Sequence, residues 1–392
     1  MTGSLAELTS TRRVLVTCGA GGVGKTTMAA ALGLAAALGG RRVAVVTIDP
    51  ARRLADALGL DSLANQPQRV DLDTVRNAAA DGRRANWWAP IDATSAEATA
   101  AASGELWALM LDARATFDDL IRKHAPSTEQ AERILANRLY RNISGALSGT
   151  QEYMAVEKLH ELVTAPRGVD GSPIKPFDCV IVDTPPTRNA LDVLAAPERL
   201  TRFLDNRVFR AMMAPARRGL RVVGVAAQAA LAALGKVVGT EVIGDAVAFF
   251  RAFDGMEEGF RERAQESLAL LRDDATAWIL VTTPRTETVE EAVFFAGALG
   301  EMGLHVDAVV ANRMQPHIDP LPAIPPTPGP LRTAVMRAHA IDARADAHRR
   351  VLVPLRTAVG PTTVFADVPL APVDVHDLQG LATIAQAICR PA

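Results

Sequence analysis

Apolar positions gather into six short β-branched runs: RRVLVT (12–17), RRVAVVTI (41–48), FDCVIVD (177–183), TAWILVTT (276–283), HVDAVVAN (305–312) and TTVFADV (362–368). Each is followed by a segment whose apolar residues keep helical spacing. Near-continuous apolar strands alternating with helices are buried on both faces, so the pattern predicts an α/β fold, a mostly parallel sheet flanked by helices. The alternation is interrupted twice. Between about 94 and 165 the apolar spacing is three and four residues, as in ELWALMLDARATFDDLIRKH, and it is helical again between about 190 and 272. Both stretches fall between strands. They predict helical insertions over about 85–170 and 190–272 that pack together as a subdomain above the C-terminal edge of the sheet, within a single domain spanning 1–392. Residues 314–330, MQPHIDPLPAIPPTPGP, are rich in proline and predict an exposed loop.

Composition narrows the classes. A chain of 392 residues, 49% of them hydrophobic, is long enough for one large core or two ordinary ones. Lys and Arg total 42 against 44 Asp and Glu, a net charge of −2, which offers no broad attraction to nucleic acid or to an anionic membrane. Cys18, Cys179 and Cys389 are too scattered for a thiolate metal site or a disulfide framework. The first two stand in strand-like runs and predict small buried side chains. The opening MTGSLAELTSTRR has no apolar core of the kind a signal peptide carries. The least polar stretch, 222–235, is shorter than the roughly 20 residues a membrane span needs. The expected location is cytoplasmic, with peripheral attachment to a membrane as the open alternative.

The sharpest local signal is CGAGGVGKTT, residues 18–27. Gly19-x-x-x-x-Gly24-Lys25-Thr26 fits the phosphate-loop pattern, and it lies where the pattern requires, after the strand VLVT and opening the helix TTMAAALGLAAAL. Glycines permit a backbone whose amides converge on phosphate oxygens, and a helix N-terminus adds partial positive charge. Gly19, Ala20, Gly21, Gly22, Val23, Gly24 and Thr27 would form the cradle. Lys25 would neutralise the β- and γ-phosphates of ATP, and the Thr26 hydroxyl would ligate Mg²⁺. The run VIVDTPP ends in Asp183, placed as a Walker B aspartate that organises the same ion. A third strand ends in Asp49-Pro50-Ala51. In a parallel sheet that carboxylate leaves the edge where nucleotides bind, and it reads equally as a water-activating base or as a turn.

GGVGKTT, TIDPARRLADALG, GTQEYMA, DTPPTRNAL and VVANR, in this order, resemble the anion-pump (arsenite-transport type) ATPases, a P-loop NTPase family with a deviant Walker A loop. The factor that targets tail-anchored membrane proteins belongs to the same family. The likeness runs over nearly the whole chain. It implies that Asp49 activates water in a first switch, that Asp183 to Asn189 form the second switch, that Asn312 reads adenine, and that Pro369 and Leu370 close over the base. It also implies a homodimer or heterodimer with a related ATPase, closing on ATP and opening after hydrolysis.

Three positions depart from the family. Its early loop lysine, which reaches across the dimer to the partner's phosphates, is Ala20 here. Its TGHT second switch is Thr187-Arg188-Asn189-Ala190. The cysteines that bind arsenite, or zinc at a dimer interface, have no counterpart, so no arsenite site is expected. A well-placed cation contributes roughly 10³- to 10⁵-fold to phosphoryl transfer, so alanine predicts slow hydrolysis unless Arg52, Arg53, Arg188 or a related subunit substitutes. Two readings stand: an ATPase whose cycle opens and closes a dimer, or a nucleotide-gated scaffold with negligible turnover beside an active paralogue. The apolar AMMAPARRGLRVVGVAAQAALAALG, with Met212 and Met213, reads as core, as a dimer contact, or as a groove for a hydrophobic client or membrane protein.

Overall fold

The computed structural model describes residues 4–48, 53–80, 104–138, 140–141, 150–164, 172–185, 187–205, 256–371 and 374–389. They form two compact units. One comprises 1–110, 162–191 and 272–392, the other 111–161 and 192–271.

The first unit is built on an eight-stranded sheet. Its strands are β1 (Val14–Cys18), β2 (Arg42–Thr47), β3 (Gln68–Arg69), β4 (Glu105–Met110), β5 (Cys179–Asp183), β6 (Thr276–Thr282), β7 (Ala308–Met314) and β8 (Val364–Pro369). Their order is β3-β4-β2-β5-β1-β6-β7-β8, parallel throughout except for β3 against β4. All six predicted strands are present. β1 lies between β5 and β6, with Thr17 beside Asp183 and Cys18 beside Leu280. The chain turns toward β2 on one side of β1 and continues to β6, β7 and β8 on the other. The carboxyl end of β1 is therefore a topological switch point, the edge where open α/β sheets bind ligands.

Helix α1 (Leu5–Thr11) precedes β1, and α2 (Lys25–Leu38) follows it. Twelve of the fourteen α2 residues are buried, as expected of a helix that is apolar all round. Its alanines and Gly33 allow close approach to the sheet. A Cβ on Gly33 would lie 2.5 Å from Cγ2 of Val45 and 3.2 Å from Cδ1 of Leu106. Helices α3 (Arg53–Leu58) and α4 (Asp73–Ala80) complete the N-terminal part.

β4 corrects the helical reading of ELWALMLDARATFDDLIRKH. Glu105–Met110 is a parallel strand paired along its length with β2, and the helix α5 (Ala113–His124) begins only after it. Leu106, Ala108 and Leu109 are buried in the sheet, and a short apolar run buried on both faces has no periodicity that separates strand from helix. The available signal was Asp112. Its side chain accepts a 2.9 Å hydrogen bond from the Ala115 amide and caps α5, so the apolar run before it belongs to another element.

The second unit is helical where described. It contains α5, α6 (Thr128–Ala136), most of α7 (Thr150–Thr164), most of α8 (Thr187–Asp205) and α9 (Glu257–Arg272). Its interior carries charge as well as apolar surface. Arg263 on α9 donates to the buried Glu157 on α7 at 2.7 Å, and His160 lies 3.4 Å from Glu266. Met212, Met213, Trp87, Trp88 and the run VIGDAVAFFRAF lie outside the described residues.

After β6 the sheet unit continues with α10 (Thr286–Glu301), β7, α11 (Pro330–Val351), α12 (Val353–Val359), β8 and α13 (Leu378–Cys389). No helix or strand forms between Met314 and Pro330. There the Pro325 carbonyl accepts from Arg332 of α11 at 2.6 Å. Cys18 and Cys179 are fully buried as expected, and burial pushes both thiols up, Cys179 to about 12. No described helix is long and apolar enough to cross a membrane.

Candidate nucleotide site

The turn between β1 and α2 has left-handed backbone at its glycines for two separate reasons. At Gly19 (φ 149°) a Cβ would fall 2.1 Å from the Val281 carbonyl oxygen, so the chain can leave the sheet there only without a side chain. At Gly24 (φ 97°), the N-cap of α2, a Cβ would fall 2.5 Å from the Asn312 amide nitrogen. A Cβ on Gly21 or Gly22 would meet nothing within 4 Å, because these residues border open space. Ala20 is turned inward, 5% exposed, and joins the hydrophobic core.

Lys25 is also buried, at 8% exposure. Its Nζ donates to the carbonyls of Gly19 (3.1 Å) and Ala20 (3.0 Å), so the ammonium sits under the loop. One residue on, the Thr26 hydroxyl donates to Asp183 Oδ2 at 2.7 Å. The same oxygen accepts from the Thr47 hydroxyl at 3.0 Å. Thr47 ends β2 directly opposite Asp183 in the parallel register, so the sheet itself sets this contact. Sequence reading passed over Thr47; its place as the last strand residue before Ile48-Asp49 was the signal.

These residues border a cavity of about 580 Å³. Gly21, Gly22, Gly24, Lys25, Thr26 and Thr27 line it, together with Arg53 and Asp56 of α3 and Thr184. Asn312, Arg313, Pro369 and Leu370 border it too. Asn312 and Pro369 are thus brought to the same cavity as the loop, 289 residues from Val23 in the case of Asn312. Asp49 and Arg52 lie outside the described residues. The backbone leading to them is anchored, the Ile48 amide donating to the Asp183 carbonyl at 3.2 Å. Thr187, Arg188 and Asn189 open α8, a helical start for the expected second switch. Arg313 was not singled out from sequence. It is the non-glycine residue with positive φ (61°) among those described, at a register shift between β7 and β8.

The donor set suits a triphosphate with a divalent ion. It offers converging amides, a buried ammonium and a hydroxyl–carboxylate pair of hard oxygen ligands. A glycine turn of this form on the central strand of a parallel sheet, with a carboxylate on the next strand against its threonine, defines a P-loop nucleotide-binding fold.

The sequence places the chain more closely. Residues 12–84 and 92–320 match the anion-transporting ATPase family, to which the chain belongs. It is 30% identical over 342 residues to Uncharacterized protein SCO2128 of Streptomyces coelicolor, covering 86% of this chain and 72% of that one. It is 27% identical over 303 residues to Protein Rv2184c of Mycobacterium tuberculosis, where it spans 59% of the relative's length against 77% of its own. ATPase BagA of Mycobacterium tuberculosis is 25% identical over 321 residues, 80% of this chain and 69% of that protein.

Proposed function

We propose that this protein binds Mg²⁺-ATP in the 580 Å³ cavity and hydrolyses it slowly, as the motor of a dimer that opens and closes with nucleotide state. The observation that carries the reading is the Thr26 hydroxyl 2.7 Å from Asp183, beside the phosphate loop. Those two oxygen groups would hold Mg²⁺, which when bound neutralises charge on the phosphates. The amides from Gly21 to Thr27 would orient the phosphates. Lys25 would exchange its two carbonyl partners for phosphate oxygens, an exchange of neutral for charge-assisted hydrogen bonds. Asp49 would activate the attacking water.

Arg53 is the strongest described candidate for the cation that Ala20 cannot supply, because it lines the same cavity at the start of α3. A second reading, a nucleotide-gated scaffold working beside an active paralogue, is favoured by Ala20 and by its inward packing. Single-turnover hydrolysis of labelled ATP with Mg²⁺ separates the two. Bound ATP that persists unhydrolysed, with activity appearing only on adding a related subunit, selects the scaffold. Slow hydrolysis by the chain alone, reduced a further ten-fold or more by Arg53→Ala, selects the ATPase with its cation in cis. The partner, and any hydrophobic client or membrane protein, would be identified from the mass and composition of the native assembly.

A further inference from the structure

Thr47 ends β2 with a hydroxyl, after four buried apolar residues, Val43, Ala44, Val45 and Val46. It is 1% exposed, as is Asp183 on the neighbouring strand. A polar group buried that deeply destabilises the fold unless it is hydrogen-bonded, and valine would fill the same space without one. The topology fixes its partner. A Cβ on Gly33 of α2 would meet Cγ2 of Val45 and Cδ1 of Ile181. Those residues stand two positions before Thr47 and Asp183, so the two-residue period of a strand puts Thr47 and Asp183 on the side of the sheet that α2 covers. The parallel register sets them side by side. Asp183 Oδ2 thus accepts from two elements at once, from Thr26 on α2 at 2.7 Å and from Thr47 on β2 at 3.0 Å.

We infer that Thr47 is a positioning residue that holds the Asp183 carboxylate in one orientation for Mg²⁺. The inference rests on the Mg²⁺-nucleotide reading above and deepens it. The terminal torsion of an aspartate has a broad preference, so a single hydrogen bond leaves the carboxylate able to swivel. A second donor on a different element removes that freedom before an ion arrives. Thr26 would itself become a ligand of the ion. Thr47 stands one strand further from the phosphate loop, because β5 lies between β2 and β1, and it acts on the ion through Asp183. Hydrogen bonds to a ligating carboxylate govern metal affinity in this indirect way.

The test is calorimetric ATP affinity across a Mg²⁺ titration and in EDTA, for the wild type, Thr47→Val and Thr47→Ser, with melting curves beside it. The valine keeps the shape and loses the donor; the serine keeps the donor. For Thr47→Val, the Mg²⁺ concentration at which ATP binding tightens should rise roughly ten-fold, with affinity in EDTA unchanged. Thr47→Ser should restore the wild-type midpoint. An unchanged midpoint in Thr47→Val would overturn the inference. So would an equal loss of affinity in EDTA, which marks a merely structural role, or a serine variant that behaves like the valine. Should melting show Thr47→Val unfolded, Thr47→Ala, which also lacks the donor, takes its place. A wild type that binds no ATP refutes the nucleotide reading, and one whose ATP affinity ignores Mg²⁺ refutes the metal reading; either removes this inference with it and is seen without any variant.

Discussion

Thr26 and Asp183, 157 residues apart in the chain, are joined by a 2.7 Å hydrogen bond in which the threonine hydroxyl donates to the carboxylate. The bond links the first turn of α2 to the end of β5. It depends on β5 lying beside β1 in the register that sets Thr17 next to Asp183. Under the proposed function, this pair would present two oxygen ligands to Mg²⁺.

Asp183→Asn is therefore expected to remove Mg²⁺ stimulation, lowering phosphate release by roughly 100-fold or more. The amide keeps the shape of the carboxylate and can still accept from Thr26 and Thr47, so the melting temperature should move little. Phosphate release measured across a Mg²⁺ titration, with melting curves beside it, checks both halves.

Lys25→Met tests the buried ammonium. Its contacts to the Gly19 and Ala20 carbonyls are lost together with its charge toward phosphate. Hydrogen bonds to charged groups are worth about 1.5–3 kcal/mol each, so ATP affinity should fall about 10- to 100-fold. Isothermal calorimetry measures it. An unchanged affinity would mean that the ammonium stays under the loop when nucleotide binds.

Gly33 tests how α2 meets the sheet. Gly33→Leu forces a side chain into space held by Val45, Leu106 and Ile181, overpacking that costs about 1–3 kcal/mol. A lower guanidinium midpoint is expected. Nucleotide affinity should change little, because the clash lies away from the loop.

The helical unit gives a pH prediction. Burial first, then the charges of Arg263 and Lys123 against the opposing Glu266, lower the His160 pKa from its usual value to about 4. The unfolded chain thus takes up this proton first, and stability is lost as pH falls from about 6.5 toward about 4. Glu157 works in the opposite sense. Burial raises its pKa despite Arg263, so the folded state holds that proton longer and loses stability as pH rises from about 4.5. His160→Asn should flatten the acid limb and leave the Glu157 contribution in place. Urea midpoints between pH 7 and 4, followed by circular dichroism for both proteins, isolate the difference.

Six strands were legible because each is an apolar run with its own turn signals, and the phosphate loop because its spacing fixes both turn and helix start. β4 was not. Buried on both faces and joined to α5 through only Leu111 and Asp112, it shares the composition of a buried helix; Asp112 marks where α5 starts, and pairing with β2 makes the run before it a strand. Asp183 was identified as a residue type at a strand end; Thr47 was marked only by its place at the end of β2, and the register of β2 against β5 makes it the second donor.

What the sequence by itself determined, then, is local: which segments bury both faces, where glycine must replace a side chain, and which residue types suit a polyphosphate. Propensity, periodicity and spacing act over a few residues, and those can be read in one dimension. The tertiary structure alone decided that Ala20 packs inward, that Lys25 rests on its own loop, and that Asn312 reaches back 289 residues to hold Val23. The reach of Asn312 follows from strand order and register, which are set by the burial of the whole sheet and leave no mark on neighbouring residues.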